Sequence, residues 1–185
     1  MWPLIIVSAV ILIIIVSVVG IYNALVRLRN QVNNAWSQID VQLKRRHDLI
    51  PNLVETAKGY MTHERETFES ITKARSQAMG AQGAAEASKA EGMLSEALSK
   101  FMLVVENYPE LKANENFLSL QETLTSTENK IAFARQGYND QVLFFNNKIQ
   151  MFPSNLIANT FNFTKRDFFE IENEAEREVP KVSFS

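Results

Sequence analysis

Residues suited to chemistry are sparse in this chain. It has two histidines and no cysteine, which removes thiol nucleophiles, disulfides and cysteine–zinc sites at once. His47 and His63 lie 16 positions apart and form no i, i+4 ligand pair. His63-Glu64 opens like the H-E-x-x-H helix of zinc proteases, but no second histidine follows. Paired metals in helical proteins take Glu-x-x-His from facing helices, and Glu55, Glu64, Glu66, Glu69, Glu122 and Glu128 lack a matching histidine. Two solvated histidines are expected, with no metal, no cofactor and no catalytic residue, so the chain reads as a non-enzyme. It has no Gly-rich phosphate loop, no G-x-S-x-G elbow and no basic patch interleaved with aromatics. Nucleic acid is therefore not an expected partner.

The most chemical-looking string is Asp40-x-x-x-Lys44-Arg45-Arg46-x-Asp48. Asp40 and Lys44 stand at i, i+4 and can pair along one helix face. Lys44, Arg45 and Arg46 fan over about 200° of a helix and cannot share a face. They are candidate interaction residues for an anion or a lipid headgroup. On a straight helix, however, residue 45 stands about 30 Å beyond Arg27, several Debye lengths from a bilayer surface. Salt bridges that hold a helix end and its turn are the preferred reading. Thr127, Glu128, Asn129 and Arg135 share one later helix, with Thr127 on its apolar stripe. A buried polar layer, satisfied by a neighbouring helix and fixing register, is expected there.

The elements that must position these residues begin with an apolar run. Leu4–Val26 spans 23 positions without a charge, and a helix crossing bilayer hydrocarbon needs about 20 apolar residues. Residues 1–26 are read as a transmembrane anchor, its spanning positions being Leu4, Ile5, Ile6, Val7, Val10, Ile11, Leu12, Ile13, Ile14, Ile15, Val16, Val18, Val19 and Ile21. Only the α-amine precedes the run as a positive charge, and Ile21–Leu25 offers no A-x-A cleavage site, which favours a retained helix over a cleaved signal. Ser8, Ser17 and Gly20 are read as tolerated small residues rather than a dimer face. Trp2 and Tyr22 flank the run where interfacial aromatics belong, and Arg27 and Arg29 place its C-terminal side in the cytoplasm.

Beyond the anchor the pattern is helical. The net charge of −2 marks no polyanion binder, and five prolines and six glycines are few for a sheet built on many turns. Leu25, Leu28, Val32, Trp36, Ile39 and Leu43 recur at spacings of three and four, one stripe of an amphipathic helix. Helices are expected at about 24–48, 52–79, 84–108 and 114–152, the last about 60 Å long. Pro51 is read as a break, with one long kinked helix through it as the alternative. Glu64 flaws the second stripe, so it is either marginal or paired. The Ala-, Ser- and Gly-rich stretch from Met79 to Gly92 signals a turn. The segment 153–185 is read as a tail of short turns packed on the 27–152 bundle. It carries aromatic clusters that include Phe168 and Phe169 (further candidate interaction residues), an acidic run and an extended end.

These residues also carry a family resemblance. Tyr22-Asn23-x-Leu25-Val26 and the string from Asn34-Ala35-Trp36-Ser37-Gln38-Ile39-Asp40 through Lys44-Arg45-Arg46-x-Asp48-Leu49-Ile50-Pro51-Asn52-Leu53-Val54 resemble the LemA family of bacteria. Tyr108-Pro109-x-Leu111-Lys112-Ala113, Thr127-Glu128-Asn129-Lys130-Ile131, Ala134-Arg135-x-x-Tyr138-Asn139, Phe152-Pro153 and Val179-Pro180-Lys181-Val182 extend the match over essentially the whole chain. The resemblance implies an all-α protein, a single N-terminal transmembrane helix carrying an antiparallel four-helix bundle with long helices and a C-terminal tail. It implies no known catalytic activity. Family members are often encoded near membrane proteases, which hints at partners. The expectation is a single-pass protein of the bacterial inner membrane, N-terminus outside and bundle in the cytoplasm. It would act as a membrane-tethered scaffold or adaptor for other membrane proteins, a membrane protease among the candidates. Self-assembly that organises or shapes the membrane is the alternative.

Overall fold

A computed structural model describes residues 1–170, and among these every regular element is a helix. The order is α1 (Trp2–Lys58), α2 (Arg65–Gly80), α3 (Gly83–Val105), α4 (Pro109–Lys112), α5 (Glu115–Gln150) and α6 (Ser154–Thr160). The acidic run past Glu170 and the extended end expected at 179–184 lie outside the described residues.

The course of α1 corrects the expected break at Pro51, because the helix passes through the proline and ends at Lys58. Proline has no N–H, so the carbonyl four residues back loses its helical partner. That carbonyl belongs to His47, and the Arg75 side chain of α2 replaces the missing donor, its Nε–H reaching His47 O at 2.7 Å. Ile50, Leu53, Val54 and Ala57 carry the apolar stripe past the proline into a buried core. The chain breaks instead between α1 and α2, at residues 59–64. Gly59 opens this gap, and glycine costs about 1 kcal/mol relative to alanine inside a helix. The N–H groups of Tyr60 and Met61 both turn back to Ala57 O at 2.9 Å, and Met61 ends in the core. The expected second helix therefore starts at Arg65 rather than 52, and Glu64 lies outside it, accepting a hydrogen bond from the Tyr108 hydroxyl at 2.9 Å. That bond raises the Tyr108 phenol above its ordinary range.

Two compact units form along the chain. One comprises Asp40–Phe133 together with Phe169 and Glu170. In it α2 and α3 pack as a helical hairpin joined by Ala81 and Gln82. Gly83 opens α3 at φ 78°, where a side chain would be strained. The core takes Ile50 and Leu53 from α1, Phe68 and Ile71 from α2, Leu94, Leu98 and Phe101 from α3, Leu111 from α4, and Phe117 and Leu124 from α5. Phe101 stands at its centre, with ring centroids 6.1 Å from Phe68 and 6.3 Å from Phe117. Each buried side chain of this size contributes about 1.5–3 kcal/mol.

The other unit comprises Met1–Ile39 and Ala134–Phe168. Leu25, Val32 and Ile39 of α1 are buried with Tyr138, Val142, Phe145 and Ile149 of α5. After α6 the chain returns through a Schellman turn. Asn162 sits at φ 55°, a conformation asparagine tolerates, while Phe163 N–H bonds to Ala158 O at 2.9 Å and Asn162 N–H to Asn159 O at 3.5 Å. The turn drives Phe163 into the interior against Tyr22 and Phe145, with centroids 5.8 and 6.5 Å away, beneath the Arg29 guanidinium at 5.2 Å. The segment that follows is held by its backbone. Asn146 Nδ2–H donates to Arg166 O at 2.8 Å, Arg166 N–H donates to Asn146 Oδ1 at 2.9 Å, and the Tyr138 hydroxyl donates to Asp167 O at 2.8 Å. Partial burial raises the Tyr138 phenol, Arg166 opposing and Asp167 adding to the shift.

Candidate functional site

Two features set this chain apart from an ordinary helical protein, an ionic cluster in the interior of one unit and a bare apolar stretch of α1 in the other. The cluster grows from the stripes. On α1 the sequence Ile39, Leu43, Arg46, Ile50, Leu53 keeps spacings of four and three, so Arg46 occupies an apolar position. On α3 Ala87, Glu91, Leu94 and Leu98 do the same for Glu91, and on α5 Leu124, Thr127 and Ile131 do so for Thr127, with Glu128 beside it. Arg46 and Glu91 are each 1% exposed.

Arg46 Nη1–H donates to Glu91 Oε2 at 3.0 Å, and Nη2–H to Ser95 Oγ at 2.8 Å. Its Nε lies 2.9 Å from Glu128 Oε1 as an ion contact rather than an aligned hydrogen bond. His47 Nε2 meets the other Glu91 oxygen at 2.6 Å. An ionised carboxylate only accepts, so that nitrogen carries a proton. Loss of solvent raises the Glu128 carboxyl above its ordinary value, Arg46 pulls it down, and the nearby Glu91 charge pushes it up again. Thr127 bonds within its own helix, its hydroxyl donating to Thr123 O at 2.8 Å.

The structure thus relocates several expected site residues. His47 is buried and hydrogen-bonded to Glu91, which corrects the reading of two solvated histidines, while His63 is exposed. Lys44 and Arg45 are exposed, but Arg46 lies in the interior, well inside α1, rather than in salt bridges at a helix end. Phe168 is half-buried and Phe169 fully buried. Among the described residues Thr127 bonds only within its own helix, while Glu128 of the expected layer does meet a neighbouring helix, through Arg46, and His47 and Glu91 complete the layer. Glu91 went unnoticed because it falls in the small-residue stretch read as a turn, although its spacing to Leu94 and Leu98 marks it. Chemically the cluster is a closed set of ion pairs. Ser95 accepts from Arg46 and is not seen paired with a base, and the protonated His47 nitrogen is committed to Glu91.

In the other unit, the large apolar side chains of α1 from Leu4 to Val16 are exposed, each by half or more. Burial of α1 in the protein begins around Ile21 and is complete at Leu25. Pro3 lies in the first turn, where its missing N–H costs nothing. The two serines of the stretch satisfy themselves, Ser8 donating to Leu4 O at 2.6 Å and Ser17 to Ile13 O at 2.8 Å. Among the described residues α1 is the one helix long and apolar enough to cross a membrane.

An all-helical protein with such a stretch and a closed interior ion cluster fits the class of membrane-associated helical proteins. The chain belongs to the LemA family, whose model matches residues 35–184. It is similar to Protein LemA of Metamycoplasma hominis, 28% identical over 141 residues, covering 76% of this chain and 64% of the relative. It is also similar to Magnetosome protein MamQ 2 of Paramagnetospirillum magneticum, 23% identical over 175 residues (80% of this chain, 64% of the relative). Magnetosome protein MamQ of Magnetospirillum gryphiswaldense is likewise 23% identical, over 174 residues, with the same 80% and 64% coverage. The matches span 64% of the length of these curated relatives.

Proposed function

We propose that this protein is a single-pass membrane scaffold without enzymatic activity. Its first helical stretch holds a helical body, read as an antiparallel four-helix bundle, on the cytoplasmic face of the bacterial inner membrane. The observation that carries the reading is the contrast along α1, where the apolar side chains of Leu4–Val16 are bare while Leu25, Val32, Ile39, Leu43, Ile50 and Leu53 on its later stripe are buried. A bare, charge-free stretch of this kind is stable in hydrocarbon. Tethering confines the body to two dimensions and raises its effective concentration toward other membrane proteins. Lys44 and Arg45 stay available to a partner, and a membrane protease is one candidate. The interior ion cluster fixes how helices align and performs no reaction.

Crosslinking in intact membranes tests the role. Adducts with unlike membrane proteins are expected. A ladder of homo-oligomers that vanishes on deleting residues 154–185 would replace the adaptor by self-assembly. For orientation, the absence of native cysteine makes S185C a clean probe. An impermeant thiol reagent should label it only after lysis, and labelling in whole cells would overturn the cytoplasmic placement.

A further inference from the structure

Just past the bare stretch, α1 and α5 enclose a groove of about 620 Å³ within one unit. Arg27 and Leu28 line it from α1, and Phe144, Asn147, Lys148 and Met151 from α5. We propose that this groove holds one anionic phospholipid. Arg27 and Lys148 receive the phosphate, the acyl chain lies over Leu28, Phe144 and Met151, and the neighbouring loop beds in the membrane interface. The proposal rests on the membrane reading above and adds to it a specific lipid site.

Four observations carry it. The first is position. Arg27 lies six residues beyond Ile21, about 9 Å at 1.5 Å per residue, and helical side chains lean toward the N-terminus, here toward the bilayer. A headgroup layer of about 5–7 Å is within its reach. The second is exposed apolar surface at the same level. The Tyr22 ring meets that of Phe161 at a tilt of 59° with centroids 4.8 Å apart, which brings the chain after α6 beside the end of the bare stretch. Near it Phe144, Met151, Phe152, Leu156 and Phe161 are exposed by 58, 61, 80, 56 and 50%. Surface of this kind beside a membrane helix is buried by lipid without further protein. The third is charge. This unit holds six Lys/Arg (Arg27, Arg29, Arg135, Lys148, Lys165, Arg166) against two carboxylates, Asp140 and Asp167, whereas the whole chain is net −2. The fourth is availability. Arg29 is engaged with Phe163, but neither Arg27 nor Lys148 forms an ion pair among the described residues.

Full-length chain in vesicles of phosphatidylcholine with phosphatidylglycerol tests this in two arms. Spin labels on single cysteines at Leu12, Phe152 and Asn34 report depth through oxygen and nickel-complex accessibility. The Leu12 label should lie in hydrocarbon, the Phe152 label at the headgroup boundary and the Asn34 label in water. An aqueous Phe152 label beside a deep Leu12 label overturns the lipid site and leaves the anchor standing. An aqueous Leu12 label removes the anchor and the site with it. In the second arm, spin-labelled phosphatidylglycerol should associate with the parent more strongly than phosphatidylcholine, by about fivefold per basic side chain, equivalent to about 1 kcal/mol each. R27Q/K148Q should abolish that preference, while R27K/K148R and K89Q, an exposed charge of the other unit, should keep it. A preference that survives R27Q/K148Q, or falls equally in K89Q, overturns the assignment. Helix content by circular dichroism confirms that the variants fold.

Discussion

Arg46 and Glu91 show how a charge can occupy a position the stripe reserves for leucine. Each has lost its water, and each is held by the other and by a third group. Removing one partner strands the other, which costs about 3–5 kcal/mol, whereas replacing a buried pair by apolar residues of similar size is often neutral. E91A should therefore destabilise the full chain in detergent by about 3–5 kcal/mol in chemical denaturation. R46M/E91L should recover most of that loss, and a double variant as weak as the single one would show that the pair is a net source of stability. Glu128 gives the cluster a pH dependence. Its folded carboxyl lies above the ordinary value of 4.5, so folding favours its protonated form. That contribution is full below 4.5 and is lost as pH rises through the folded value. Between neutrality and 4.5 the parent should gain stability relative to E128Q as pH falls. Parallel curves for the two proteins across that window would contradict the assignment.

At the scale of elements, α1 owes its passage through Pro51 to a side chain of another helix. Leaving a buried carbonyl unsatisfied costs about 1–3 kcal/mol, so R75M should destabilise by about that much. P51A restores the N–H, and in that background R75M should cost far less. A double-mutant cycle on thermal or urea unfolding measures the difference, and a coupling near zero would detach Arg75 from the proline. This dependence also explains what the sequence could and could not disclose. α3 and α5 follow the three-and-four spacing of their apolar residues, which a single polar side chain on each stripe (Glu91 and Thr127) does not break. The end of α1 was not legible, because a long-range donor repaired what proline removes, and local rules do not see such donors. The assumed break also put Arg46 at a helix end, although its spacing to Ile39 and Leu43 already set it on the stripe that continues to Ile50. Thr127 and Glu128 were visible as a polar interruption, but their partners were not, because pairing across helices requires the packing itself.

For the whole molecule, the apolar stretch was legible in full, since length and absence of charge define it without reference to any partner. Its consequence is testable directly. The full chain should stay with membranes through alkaline carbonate extraction, and a variant lacking residues 2–21 should pass into the supernatant. A full chain that is itself extracted would end the membrane reading. The near-neutral total also conceals an uneven distribution. The unit containing the bare stretch has an excess of four positive charges, and the remainder of the chain an excess of six negative ones, thirteen Lys/Arg against nineteen Asp/Glu.

The amide of Asn146 grips the chain at position 166 by its main-chain groups alone, taking both the N–H and the carbonyl. Such a latch cannot read which side chain it holds. Saturation mutagenesis at Arg166 should find nearly every substitution accepted, with proline, which lacks the donor, as the exception. Position 146, by contrast, should tolerate almost nothing. That makes 166 a place to install a fluorophore or crosslinker without loosening the returning strand.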